Sequence, residues 1–288
     1  MMNLPAIVEP PFDSRGWLKA TFEARRELAK QAAAQMDKDF EPLPFEPREE
    51  LLPTFLHRKT GIPFKLVAGG AFRMGLSEEE EQRARQICDP IPATLEEMRP
   101  VHERRVQTAL VSVTPVLWRH FGEWRRNPTE ASDGPRFVTR SEALSFAETL
   151  GCRLPSETEW EYACRAGNQS LFTWGDDLPS DEELEGWLSW DLSDLEQVRT
   201  NRFGLAGLFF EEWCADPFAV SYEQDAPIEP DSFTIRGGGA FFWPWQDEEW
   251  VWCMSAMRMP STGLLDGTAA FRLVADLPAN AEPPPDVS

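Results

Sequence analysis

Tyrosine and histidine are nearly missing from this chain, with two Tyr and three His in 288 residues. Positive charge is scarce as well: 28 Lys and Arg stand against 49 Asp and Glu, a formal net charge of −21 at pH 7. A chain so short of cations neither displaces the counterions of a nucleic acid nor settles on anionic lipid headgroups, so both drop out as partners. The same acidity keeps a protein soluble and, where it is focused, attracts a basic partner. Long apolar runs are missing too. Met1-Met-Asn-Leu-Pro-Ala opens with neither a charged start nor a continuous apolar stretch, and no segment reaches membrane-spanning length, which predicts a soluble, cytoplasmic protein. Cysteine is sparse: Cys88, Cys152, Cys164, Cys214 and Cys253 are odd in number and lack C-x-x-C spacing, which argues against a zinc knuckle or a disulfide framework and for buried free thiols.

What the chain does have is large apolar rings and chain breakers, with 12 Trp, 19 Phe, 25 Pro and 18 Gly. That mixture predicts many turns and little long regular structure. Residues 1–13 are Pro-rich and extended. From Ser14 to Asp39 apolar residues recur at fours (Leu18 and Phe22; Leu28, Ala32 and Met36), which predicts one amphipathic helix. Pro42, Pro44 and Pro47 end it, so residues 1–61 read as a helical extension with a Pro-rich linker, too small for a core of its own. The main domain spans 62–276, opening with two short strands around Gly69-Gly70, and a disordered Pro-rich tail occupies 277–288. The acidic run Glu78 to Glu81 reads as a solvated loop within a surface insertion, and the tract from Asp176 to Glu196 as exposed. Thr114-Pro115 supplies an N-cap and a first-turn proline for a helix whose stripe is Val116, Leu117, His120, Phe121 and Trp124. Thr139 and Glu142 form a capping box for the next helix.

One stretch dictates its own structure. In Gly151-Cys-Arg-Leu-Pro-Ser-Glu-Thr-Glu-Trp-Glu-Tyr-Ala-Cys-Arg-Ala-Gly167, Ser156 and Glu159 form a second capping box, so a helix begins at Glu157 and Gly167 stops it. Trp160, Ala163 and Cys164 share one face of that helix.

The segment Arg153-Leu-Pro-Ser-Glu-Thr-Glu-Trp-Glu-Tyr-Ala163 resembles the signature of the formylglycine-generating enzyme, or sulfatase-modifying factor, family. Phe64 to Gly75, Arg99-Pro-Val-His-Glu-Arg-Arg-Val106, Leu171 to Asp176, Asn201-Arg-Phe-Gly-Leu205, Glu212-Trp-Cys-Ala-Asp216, Thr234-Ile-Arg-Gly-Gly-Gly239 and Ala270-Phe-Arg-Leu-Val274 resemble further family segments in the same order. The resemblance implies an irregular, loop-rich α+β fold related to the C-type lectin fold.

It also implies chemistry. Family members hold a structural calcium through a Gly-Asn-x-x-Glu segment, since a hard ion wants several oxygens. This chain is two residues short there and places Phe209 and Phe210 in the segment, so Asn201, Glu211, Glu212 and Asp216 are the oxygen donors left for calcium. Enzymes of the family that make formylglycine carry two cysteines shortly after Arg-Gly-Gly-Ser, because copper(I) needs soft thiolates. Those positions are Phe242 and the neighbourhood of Asp247 here, and a single sulfur, Cys253, cannot make a two-thiolate site. A related iron-dependent branch needs histidine ligands, whereas His57, His102 and His120 show neither H-x-H nor H-x-x-x-H spacing.

The loop from Ala240 to Trp252 instead concentrates Phe242, Trp243, Trp245, Trp250 and Trp252 beside carboxylates. With Arg236 and Arg258 at its base, it reads as a binding surface for a protein or peptide, a basic one by charge. The expectation is therefore a catalytically inactive member acting as a binding module. An alternative is a metal-dependent oxidase of a peptide or natural product using His102, Cys253, Asp247 or Arg258. A second is a variable ligand-binding protein of C-type lectin type.

Overall fold

A computed structural model describes residues 17, 19–36, 38–91, 95–125, 134–187, 189, 191–192, 194, 198–223, 231–238, 249–261 and 268–277. Its helices are α1 (Phe22–Gln35), α2 (Glu78–Ile87), α3 (Trp118–Arg125), α4 (Arg140–Thr149), α5 (Glu157–Arg165) and α6 (Asp181–Trp187). Its strands are β1 (Phe40–Pro42), β2 (Thr54–His57), β3 (Pro63–Val67), β4 (Gly70–Met74), β5 (His102–Val106), β6 (Ala109–Ser112), β7 (Val138–Thr139), β8 (Glu212–Pro217), β9 (Phe233–Arg236), β10 (Arg258–Pro260), β11 (Thr268–Ala269) and β12 (Val274–Asp276).

Alternating burial builds the main sheet. Phe55 on β2 and Phe64 on β3 point inward between half-exposed neighbours, the period of a sheet wetted on one face. The five-stranded order is β1-β2-β3-β6-β12 with every pairing antiparallel, so the closing strand lies beside β6. The sheet continues across residue 62: β1 and β2 come from the Pro-punctuated stretch expected to be a linker. Lys65 ties that stretch down, donating to Glu50, the Leu52 carbonyl and Thr54.

The two strands around Gly69-Gly70 exist, but they do not form a hairpin. β3 pairs with β6, while β4 pairs with β5 in a separate ladder. Gly69 is where the chain changes sheets. A Cβ there would lie 2.4 Å from the Val106 carbonyl oxygen, and its amide donates to Thr108 Oγ1.

The acidic run at Glu78 to Glu81 is not a solvated loop. It is the first turn of α2, capped reciprocally by Ser77 and Glu80, and acids favour a helix N-terminus. Glu80 is buried. α3 starts at Trp118 rather than after Thr114, because Val116 and Leu117 are taken by the closing segment and by Pro135: Val116 N–H donates to Phe271 O, and Leu117 bridges Pro135. The single helix expected from Ser14 is interrupted at Ala20 and Thr21: residues 17 and 19 are helical, and α1 begins at Phe22 behind a Thr21 N-cap, with Trp17 buried against Leu51 through an indole hydrogen bond of 2.7 Å. The capping boxes at Thr139 and Ser156 form as the sequence predicts. Ala166 takes the left-handed C-cap of α5 (φ 46°), and Gly167 follows with φ 84°.

The apolar face of α5 packs as expected. Trp160, Ala163 and Cys164 join Val67, Val106, Val111, Phe203 and Leu205 in one buried cluster. A larger cluster, built on Phe55, Phe64, Phe121, Phe146, Phe172 and Phe271, fills the other side of the main sheet's neighbours. The expected tail from Pro278 onward, residues 1–13 and the tract from Gln224 to Pro230 lie outside the described residues.

Candidate functional site

The site expected from sequence starts where β9 ends. In the three-stranded sheet β10-β9-β8, Arg236 stands opposite Arg258 on one side and Glu212 on the other. Gly237 and Gly238 then turn with φ of 77° and 133°. A side chain at Gly237 would put its Cβ 2.1 Å from the Phe210 carbonyl oxygen, so only glycine passes here. Gly238 N–H donates to Phe209 O at 2.9 Å, which presses this turn onto the 209–210 segment.

Beneath the turn, α5 presents a second, charged face. Glu157, Glu161 and Arg165 follow one another at spacings of four, and each meets partners from distant elements. Glu80 binds Arg165 at 2.5 Å, and Arg165 binds Glu161 at 2.8 Å. Glu161 binds Arg236 at 2.5 Å. Arg236 lies 3.8 Å from Glu157, and Glu157 meets Arg258 at 2.9 Å. That last contact, between Nε and Oε2, is ionic without hydrogen-bond alignment; Arg258 Nη2 donates to Oε1 at 3.0 Å. Six ions, five of them buried and Glu157 half-buried, thus alternate in one chain that joins α2, α5, β9 and β10.

The electrostatics differ along it. Burial works to raise the Glu161 carboxyl, but Arg165, Arg236 and the Gly75 amide together hold it below the usual carboxylate range. At Glu157 burial wins, and its carboxyl is raised despite Arg258 and Arg236. A separate buried pair lies nearby: Glu212 takes both its oxygens to Arg272 at 2.6 Å each and accepts the Trp160 indole N–H at 2.9 Å.

Arg236 and Arg258 are therefore inside the fold rather than on a binding surface, since desolvating a guanidinium demands partners and both have them. Arg258 also donates to the Glu97 and Ala219 carbonyls. His102 comes near them: its ring lies 4.6 Å from that of Tyr222, Tyr222 accepts from Arg236, and Arg258 sits 4.5 Å over the same ring. His102 Nδ1–H donates to Pro100 O at 2.8 Å. Cys253 is elsewhere, buried, with its thiol pushed up by burial and by Cys164. Burial raises the Cys164 and Cys214 thiols too, and lifts Cys152 to about 12, so none of these four is poised as a thiolate. His120 is buried and held neutral, its pKa lowered to about 4 by burial and by Arg119.

Of the aromatic loop, Trp250 is buried against Phe172 edge to face at 5.9 Å, a core side chain and not a surface one. Trp252 is half-buried against the larger cluster. Phe242, Trp243, Trp245 and Asp247 lie outside the described residues. An open cleft of about 730 Å³, lined by Arg73, Arg85, Arg99, Glu78 and Glu81 among others, includes none of the expected site residues.

Three of the four expected calcium donors are held by protein groups. Asn201 Oδ1 accepts the amides of Phe203 and Leu205, and its Nδ2 donates to Ala163 and Cys164. Glu212 belongs to Arg272. Asp216 accepts the Glu157 amide at 2.6 Å. Glu211 is fully buried. Among the described residues, no three His, Cys, Asp or Glu side chains group as a metal site. Sequence reasoning missed the charged face of α5 and Tyr222; the spacing of 157, 161 and 165 was the available signal.

Comparison with known proteins follows this geometry. The family model described as sulfatase-modifying factor enzyme 1-like domain matches residues 57–277. The chain is 30% identical over 132 residues to the formylglycine-generating enzyme of Mycobacterium tuberculosis (strain ATCC 25618 / H37Rv), over 40% of this chain and 44% of that protein. It is 34% identical over 76 residues to hercynine oxygenase of the same organism, over 23% of this chain and 18% of that one. The chain thus spans less than half the length of these curated relatives. Among solved structures, PvdO from Pseudomonas aeruginosa matches with a TM-score of 0.57 at 17% identity, over 78% of this chain and 98% of that one. That likeness concerns the fold, an irregular, loop-rich α+β architecture. No described helix is long and apolar enough to cross a membrane.

Proposed function

We propose, from the premise that this chain belongs to the sulfatase-modifying factor enzyme 1-like domain family, that it is a member without formylglycine-generating activity, serving as a binding module for a protein or peptide. One observation carries this reading. No cysteine occurs between Cys214 and Cys253, so the positions where the resemblance calls for paired thiols hold Phe242 and Asp247. Copper(I) chemistry on a substrate thiol needs two soft ligands that can ionise. The thiols nearest in sequence, Cys214 and Cys253, are buried and held protonated. The segment from Phe241 to Glu249 offers instead three aromatic residues before Gln246 beyond Phe241 itself, and three consecutive carboxylates, Asp247, Glu248 and Glu249. Rings beside carboxylates suit a cationic side chain, and the net charge of −21 favours a basic partner.

The test is capture of partners from a lysate by the intact chain and by a variant with Trp243 and Trp245 changed to Ala, at equal folded content by circular dichroism. A basic protein held by the first and released by the second supports the reading; equal capture by both removes the loop from the account.

A second reading is a metal-dependent oxidation of a peptide or natural product. The similarity to hercynine oxygenase favours it, as does the shared contact of His102 and Arg258 with Tyr222. Elemental analysis of protein purified without chelators discriminates: one copper or iron per chain supports oxidation, and neither supports binding.

A further inference from the structure

A loop that is short of metal ligands must close its polar groups in another way, because a buried carbonyl or carboxylate without a partner keeps the full cost of its desolvation. Between Asn201 and Trp213 several of those groups pair with one another or with the segments beside the loop. The Asn201 carbonyl accepts Gly204 N–H, the Leu205 carbonyl accepts Asn201 N–H, and the Gly207 carbonyl accepts Phe210 N–H. Phe209 O accepts Gly238 N–H, and Glu211 O accepts Ala270 N–H. The Glu212 carboxylate is met by Arg272. Its Nε and Nη2 hold the two oxygens of Glu212 at 2.6 Å each, while Nη2 also donates to Ala206 O at 3.1 Å and Nη1 to Ser112 O at 3.2 Å. The guanidinium is completely buried. It collects a carboxylate and a carbonyl from the loop and a further carbonyl from Ser112, which is the work a hard cation does in an oxygen-lined loop.

We infer that Arg272 is the internal cation of this loop and that the domain keeps its fold without calcium. Arg272 is always charged and is supplied by the chain, so the 201–213 loop closes on folding without an equilibrium with the medium. Glu211 adds one buried carboxylate, and a single carboxylate does not satisfy an ion that takes six to eight oxygens. The inference concerns the loop alone and stands whether the domain binds or oxidises.

Thermal unfolding of the purified full chain, in about 5 mM calcium chloride and in EGTA, tests it. An ion bound with Kd about a hundredfold below its concentration adds about 2.7 kcal/mol, a shift of several degrees for a domain of this size. The melting temperature is expected to agree within about 1 °C between the two media, whereas a rise of about 4 °C or more in calcium overturns the inference. Terbium(III), whose emission an adjacent tryptophan such as Trp160 would sensitise, provides a second probe. Saturable stoichiometric emission at micromolar terbium that is displaced by calcium overturns the inference, and its absence supports it. Arg272→Gln supplies the other arm. Its melting temperature is expected to fall, or the variant to fail to fold, in both media alike; an unchanged melting temperature removes Arg272 from the role.

Discussion

The chain up to Arg236 and the chain immediately after it obey different rules. Before Arg236, residues are held by partners that leave no freedom: its guanidinium meets Glu161 and Tyr222 and the Ser255 carbonyl, and α5 below carries two further ions of the same chain. After it, two glycines turn the backbone over Phe209 and Phe210, and the sequence that follows has aromatic rings and acids where the family resemblance calls for thiols. A scaffold of buried ions constrains a sequence everywhere it reaches, because removing one partner strands the other in low dielectric. We propose that the segment mounted on it is where one chemistry has been exchanged for another.

The largest effect should come from cutting the ionic chain in its middle. Arg236→Met leaves Glu161 and Glu157 without their shared cation, and an urea titration is expected to show a loss of about 3–5 kcal/mol or no folded protein. Glu161→Gln in that background is expected to restore part of the loss. If Arg236→Met costs less than about 1 kcal/mol, the scaffold is not ionic in the sense argued here.

Acid provides the next largest effect. His120 titrates at about 4 in the folded chain against 6.5 in the unfolded one. Between those values the unfolded state binds the extra proton, so stability is complete above pH 6.5 and declines as the pH falls toward 4. At about 1.4 kcal/mol per unit the decline reaches about 3 kcal/mol, and His120→Phe should remove this part of the pH dependence. The Glu161 carboxylate, held low, adds a further loss in stronger acid, whereas the raised Glu157 works in the opposite sense as it takes up its proton.

Ser156→Ala tests a smaller element of the same scaffold. It removes the reciprocal cap of α5 and is expected to cost about 1 kcal/mol in the same titration, with the fold retained.

The smallest effect on stability belongs beyond Arg236. Changing Trp243 and Trp245 to Ala is expected to alter unfolding by less than about 0.5 kcal/mol while abolishing partner capture. Loss of folding instead would place these rings in the core and erase the contrast between the two regions.

Much of the scaffold was legible before its coordinates. The capping boxes at Thr139 and Ser156 are local, so four residues sufficed, and the apolar face of Trp160, Ala163 and Cys164 follows from helical spacing. The opposite face was not legible. Glu157, Glu161 and Arg165 look like a solvated row, and only partners 101, 75 and 85 residues away show that the row is inside. Glu78 to Glu81 misled although Ser77 and Glu80 carry the local S-x-x-E spacing of a capping box; that spacing marks a helix start, while the burial of Glu80 depends on Arg165, 85 residues away. Gly69-Gly70 has one signature for a hairpin and for a change of sheet; the carbonyl of Val106 decides between them. Trp250 shares its composition with its loop neighbours, but Phe172 buries it.

The most direct test of the central claim is to incubate the full chain with copper(I), oxygen and a cysteine-containing peptide, and follow the peptide by mass spectrometry with an aldehyde-reactive tag. A scaffold that has kept its ions but not its thiols predicts no aldehyde beyond that formed without the protein. Conversion of that cysteine to an aldehyde, dependent on the protein, would contradict it.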